Sequence, residues 1–232
     1  MTARLDPRPD APAPGGVLRL AGSPELARGY ARAIYAHPER DGWLVKIYRP
    51  DRMAIFNKTR GLVAHLKKRR LAGPYGIIRR EFEAQFDATM RAWRLGLPTP
   101  FPLIGGVVLT DMGPGQVVEM VRDAQGVLAP TLRDVAKAGG LDGPRFEALN
   151  LFARLLFDLR IVTPDITVRN VLYEDRRGPR FVLIDGFGDP NVLPFRSWFP
   201  ALRMRNLHKR LTKIGSDIGL PWNPEARRFE RR

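Results

Sequence analysis

The sequence predicts an α+β fold arranged as two lobes around a cleft. The first half carries short apolar runs separated by Gly- and Pro-containing turns, the mark of antiparallel strands. The second half carries longer stretches with helical periodicity. Within it, residues 161–189 hold polar groups at fixed places around two further apolar runs. A length of 232 residues suits one domain or two small lobes, and a hydrophobic content of 44% with 12 Phe can fill a core.

In chain order, residues 1–16 are rich in Pro, Ala and Gly and predict a disordered tail. Val17-Leu-Arg-Leu-Ala21 reads as a first strand, Gly22–Gly29 as a turn, and Ala31–Ala36 as a returning strand. A hairpin here can cover phosphates with backbone N–H groups, Gly29 among them, yet no GxGxxG is present, so an ordinary turn fits equally. Trp43-Leu-Val-Lys46-Ile-Tyr48 is a strand with a lysine inside an apolar run. A buried lysine there needs a partner; an edge strand would let it reach water. Residues 57–71 form a basic run, part of an insertion over 50–75. It suits a solvated face or contact with an anion, and lacks the interleaved aromatics of a base-stacking surface.

Ile77–Leu95 predicts a long helix. Phe82, Phe86, Met90 and Trp93 fall on one stripe, and Gly96 and Pro98 stop it. Glu81 lies beside that stripe and is the candidate partner for Lys46, with Glu83 and Asp87 as alternatives. Val107–Asp111 and Gln116–Val121 predict a hairpin turning at Gly113-Pro-Gly115. Its far end, Glu119-Met120-Val121, would be a hinge offering backbone groups to adenine, or a plain sheet edge. Thr131 caps a short helix and Pro144–Arg160 forms a longer one.

Next comes Ile161-Val-Thr-Pro-Asp165, then Asn170 five residues after that Asp, a strand, a turn, and Phe181-Val-Leu-Ile-Asp185-Gly-Phe-Gly-Asp189. Phosphoryl transfer from a metal–nucleotide needs such a set. One carboxylate, Asp165, orients the acceptor hydroxyl, while an amide oxygen, Asn170, and a second carboxylate, Asp185, hold Mg²⁺. Their spacing resembles the catalytic loop of protein-kinase-like folds. Arg169, inside the loop, can touch phosphate or point to water. Arg196–Ile214 predicts a last helix with Leu207, Leu211 and Ile214 on its apolar face and a basic exterior. That exterior suits either solvent or an anionic membrane surface. Arg227–Arg232 reads as a charged tail.

Composition narrows the classes. There is no Cys, so no disulfide or thiolate metal site forms, and the three His are scattered. No apolar run approaches about 18 residues, and the N-terminus has no apolar signal core. The expected location is the cytoplasm, with peripheral contact at the inner membrane surface as an extension. A net charge of +15 favours an anionic partner, with nucleic acid the weaker option.

Several pieces together resemble the YrbL family of PhoP regulatory network proteins: Tyr35-Ala-His-Pro38 before the Lys46 strand, Ile78-Arg-Arg-Glu81, Arg160-Ile-Val-Thr163 leading to Asn170-Val-Leu, and Asp185-Gly-Phe-Gly188 followed by Leu193-Pro-Phe-Arg-Ser-Trp198. Their order covers roughly residues 17–214. The resemblance implies a protein-kinase-like fold with a shortened C-terminal lobe, divided as 17–121 and 122–232, and a link to the PhoP network. It brings no known acceptor. The chain departs from protein kinases in having Thr163-Pro164 before Asp165 and Asp185-Gly-Phe in place of Asp-Phe-Gly. Two functions follow as expectations. One is an ATP- and Mg²⁺-dependent phosphotransferase using Lys46, Glu81, Gly29, Met120 and Val121 for nucleotide, Asn170 and Asp185 for metal, and Asp165 for the hydroxyl of an anionic acceptor. The other is a pseudokinase-like module that binds nucleotide or a partner without chemistry.

Overall fold

The computed structural model of the chain describes residues 16–53, 75–163, 165–176, 178–188 and 199–231. The predicted tail, the basic run 57–71, Pro164, Asp189, the 193–198 motif and the start of the last predicted helix lie outside the described residues.

Alternating apolar residues build a five-stranded antiparallel sheet in the order β1-β2-β3-β5-β4. Its strands are β1 (Glu25–Arg28), β2 (Arg32–Ala36), β3 (Trp43–Tyr48), β4 (Ile104–Thr110) and β5 (Gly113–Glu119). Register sorts the side chains by face. Lys46 pairs with Ile34 on one side and Gln116 on the other, so Arg32, Ile34, Lys46 and Gln116 share a face. Ala33, Tyr35, Val45 and Ile47 point the opposite way and form a small core with Leu18 and Leu20.

Two expectations about this sheet change. Residues 17–21 are not its first strand. They make one parallel bridge from Leu18 to Thr110, and the strand begins at Glu25 instead. Gly22, at φ 84°, turns the chain, while Leu18 and Leu20 bury themselves against the sheet and hold the segment there. The second hairpin turns at Asp111-Met112, and Gly113-Pro114-Gly115 lies inside β5. A side chain at Gly115 would come within 2.6 Å of Val45 and 2.7 Å of Ile47, so glycine here serves close strand packing rather than a turn.

Helix α1 (Gly76–Leu95) ends at Gly96, which takes φ 63° and donates to Ala92 and Trp93. Its buried face is Ile78, Glu81, Ala88 and Ala92. The predicted aromatic stripe lies elsewhere: Phe86 is 66% exposed and Trp93 77% exposed. Small alanines, not aromatics, meet the core because they let the helix approach Phe101 and its neighbours. The helix thereby joins two regions, with Glu81 under the sheet and Ala88 and Ala92 in the large C-terminal core.

That core is built by α2 (Leu132–Lys137), α3 (Gly143–Asp158), the hairpin β6 (Val171–Glu174) and β7 (Arg180–Leu183), and α4 (Pro200–Ile218). Thr131 caps α2, as the sequence predicts, and the structure adds a reciprocal box with Asp134; Asp142 caps α3. On α4, Leu207, Leu211 and Ile214 are buried as predicted. The expected charged tail is instead ordered. β8 (Trp222–Asn223) pairs with β9 (Arg228–Phe229), and Phe229 is fully buried. Asn150 on α3 holds it by accepting from the Phe229 N–H at 2.7 Å. Trp222 stacks near Phe157 and donates its indole N–H to His208 Nδ1 at 3.2 Å. Among the described residues no helix is long and apolar enough to cross a membrane.

Candidate functional site

The site forms where one sheet face meets the loops flanking β6 and β7. β3 is the central strand, so Lys46 is not an edge residue. It is 5% exposed and donates from Nζ to the Ile184 carbonyl at 2.7 Å. Ile184 in turn donates its N–H to the Asn170 carbonyl at 2.9 Å, because β6 and β7 pair antiparallel with Val171 opposite Leu183. This hairpin places Asn170 and Asp185 side by side from positions 15 apart in sequence.

Glu81 faces the same place, but its ion-pair partner is Arg32. The guanidinium of Arg32 donates to both Glu81 carboxylate oxygens at 2.7 and 2.8 Å, to Gln116 Oε1 at 2.9 Å, and to Asp185 Oδ1 at 2.5 Å. It reaches both carboxylates because it shares the inward face with Lys46, two positions along β2 from the residue opposite that lysine. Sequence reading missed Arg32 and Gln116. The signal was present in the period-2 alternation of Arg32-Ala-Ile-Tyr35 against the Lys46 strand.

Burial and neighbouring charge pull on these groups in opposite directions. Burial, and secondarily the charge of Arg32, push the Lys46 ammonium below its ordinary range, while Glu81 and Asp185 pull it back up. Burial opposes the charged form of Arg32 as well, but Glu81 and Asp185 outweigh it and raise its pKa. Burial would also raise Asp185. Arg32 and then Lys46 outweigh that and hold the carboxyl below its usual range. The cluster thus gathers Arg32, Lys46, Glu81 and Asp185 in one hydrogen-bonded network, and Asp185 keeps 44% of its side chain exposed.

The loop carrying Asp165 is pinned from several sides. Thr163 Oγ1 donates to the Gly186 carbonyl at 2.7 Å, and Asn206 on α4 donates to the Thr163 carbonyl at 2.7 Å. Thr163 thus fastens this loop to the Asp185-Gly186 turn. A side chain on Gly186 would lie 2.9 Å from the Asp165 carbonyl, so the two segments are in direct contact. Asn170 donates its amide to the Asp165 carbonyl at 3.2 Å, and its Oδ1 has no partner among the described residues.

The remaining predicted residues lie apart from this network. Gly29 closes the β1–β2 turn by donating its N–H to the Arg32 carbonyl at 2.8 Å, so that N–H is committed to the turn. Met120 donates to the Gly42 carbonyl, and the Val121 carbonyl accepts from Ala129. The Met120 carbonyl and the Val121 N–H have no backbone partner among the described residues.

The residues fit a nucleotide and a divalent ion. Gln116 Nε2 is buried without a partner beside Lys46 and Arg32, a donor suited to a phosphate oxygen. Asn170 and Asp185 supply hard oxygen donors of the type Mg²⁺ prefers.

A family model described as PhoP regulatory network protein YrbL matches residues 18–219. The chain belongs to the YrbL family. YrbL proteins of Escherichia coli (strain K12) and Shigella flexneri are each 27% identical to it over 191 residues, spanning 78% of this chain and 79% of the relative. The YrbL match takes in every residue of the Arg32–Asp185 network.

Proposed function

We propose that the chain is an ATP- and Mg²⁺-dependent phosphotransferase with a protein-kinase-like two-lobed fold, working within the regulatory network that its family is named for. One observation carries this: Lys46, Glu81, Asn170 and Asp185, drawn from four separate segments, meet in one hydrogen-bonded cluster with Asp165 packed against it. Bound Mg²⁺–ATP supplies the γ-phosphoryl group and the ion that neutralises its charge. Lys46 and Arg32 offset phosphate charge from the sheet side, and Gln116 Nε2 donates to a phosphate oxygen. Asn170 and Asp185 hold the ion, and Asp165 accepts the proton of the acceptor hydroxyl. Preorganised charges of this kind are worth roughly 2.7–4 kcal/mol of barrier each.

The test is release of γ-phosphate from ATP with Mg²⁺. Turnover that falls at least a hundredfold in Asp185→Asn and in Lys46→Met supports the assignment. No turnover in the parent chain, or turnover that ignores both changes, removes it.

A specific observation favours a second reading, a pseudokinase-like regulatory module. Arg32 already occupies Asp185 and Glu81, and Lys46 rests on a carbonyl, so both carboxylates and the lysine are engaged as they stand. Under this reading ATP raises the melting temperature without Mg²⁺ and without turnover.

A further inference from the structure

The phosphotransferase reading leaves the acceptor open, and the inference here rests on that reading. A cavity of about 690 Å³ opens on the loop that carries Asp165 and Asn170. Its walls are α2, the loop itself and the last turns of α4. Four cations line it: Arg133 and Lys137 from α2, Arg169 from the loop, and Lys213 from α4. The two carboxylates in the wall are Asp165 and Asp217.

One feature separates these cations from the rest of the basic surface. They converge from three elements on one concavity. Like many other cations on this surface, they make no ion pair among the described residues, so their charge is not cancelled within the cavity wall. The hydrogen bonds from Thr131 in the α2 cap hold the Asp134 carboxyl below its usual range, with Lys137 and Arg133 adding less, so this carboxylate is already engaged. Backbone hydrogen bonds also tie the wall together. Arg133 donates its N–H to the Val168 carbonyl at 3.1 Å and Tyr173 donates to Pro130 at 2.9 Å, which ties α2 to the loop and to β6. Like charges gathered in a partly enclosed space repel each other, and an anion relieves them. Arginine adds forked donors that match a phosphate.

We propose that this cavity receives the acceptor, and that the acceptor is a small hydroxyl-bearing molecule carrying a phosphate. Arg133, Lys137 and Lys213 bind that phosphate while its hydroxyl reaches Asp165. In the transfer, the hydroxyl oxygen bonds to the γ-phosphorus as the bond from that phosphorus to the β–γ bridging oxygen breaks. The proton passes to Asp165 and ADP leaves. The phosphate belongs either to a free sugar phosphate or to a lipid headgroup.

Isothermal titration of the full chain with glucose 6-phosphate and with glucose, beside flotation with phosphatidylglycerol and phosphatidylcholine vesicles, tests this. The comparison protein is the double variant R133A/K213A, whose side chains are half-buried and exposed, with its melting temperature checked. Binding of glucose 6-phosphate but not glucose, weakened at least tenfold in the double variant, assigns a free sugar phosphate. Binding only to phosphatidylglycerol vesicles, lost in the double variant, assigns the headgroup. Equal binding of glucose and its phosphate, binding unchanged in the double variant, or no binding to any of these probes overturns the proposal. ATP affinity is measured in parallel. Its absence with phosphate binding intact removes the phosphotransferase reading and leaves an anion site; its presence with no phosphate binding removes only the acceptor assignment.

Discussion

Arg32 holds two carboxylates from a position that looks ordinary in sequence. It is 5% exposed and bonds Glu81, Gln116 and Asp185 together. Removing one partner of a buried pair strands the other, at a cost of roughly 3–5 kcal/mol, whereas replacing both with apolar groups can be nearly neutral. Urea unfolding of Glu81→Leu should therefore show a loss of that order, and the double change Arg32→Met with Glu81→Leu should recover much of it. Additive losses would mean the pair is not coupled. Sequence order alone made Glu81 the expected partner of Lys46. It identified the carboxylate but not its cation: period-2 alternation puts Arg32 on a face, and only the strand register shows that Lys46 shares that face.

Histidines supply a second prediction at this scale. His208 accepts from Trp222, and His37 Nδ1 accepts from the Glu39 N–H at 3.2 Å. Burial lowers both pKa values, joined by Arg227 at His208 and by Arg40 at His37, where Glu39 opposes. The unfolded chain then binds more protons than the folded one near their ordinary value of 6.5. Stability is complete above that pH and falls as pH drops through it toward the lowered folded values. Unfolding free energy measured at pH 7.5 and 5.5 should fall in the parent chain and change less in H37Q/H208Q. An equal drop in both proteins would assign the effect to other groups.

At the scale of elements, the β6–β7 hairpin and its flanking loops set the site. Here the sequence was most legible. Two apolar runs with an Asp and an Asn at their ends specify a hairpin, and antiparallel pairing then brings Asn170 beside Asp185. Less legible was α1, where periodicity marks the stripe of large residues while the buried face uses Glu81, Ala88 and Ala92. A hydrophobic pattern cannot distinguish a face that packs through small residues from one left outward. The contact at Gly186 can be tested directly. It has φ 76° with the Asp165 carbonyl 2.9 Å from a would-be Cβ, whereas Gly126, at φ 82°, has open space. Both alanine variants carry backbone strain of about 1–3 kcal/mol. Gly186→Ala should unfold at lower urea than Gly126→Ala by an amount that reports the crowding; equal midpoints would mean the loops separate at no cost.

Across the whole molecule, the charge distribution is uneven. The chain carries +15 overall. Exposed pairs such as Arg79–Glu83 each contribute only about 0–1 kcal/mol. Self-repulsion therefore outweighs them, and added salt screens it. The melting temperature should rise from low to moderate NaCl; a flat or falling curve would show that paired charges dominate instead. This imbalance was visible in composition, but its concentration beside Asp165 was not, since Arg133, Arg169 and Lys213 meet only after α2 and α4 are docked.

The indole of Trp222 is enclosed by Phe157, Phe229 and His208, whereas that of Trp93 stands in water. Their emission therefore differs in colour. An imidazolium withdraws electrons from an excited indole more strongly than an imidazole does, and of these two the enclosed indole touches one. Mild acid thus dims the blue side of the spectrum first, and the chain carries an optical gauge of whether its C-terminal hairpin is in place.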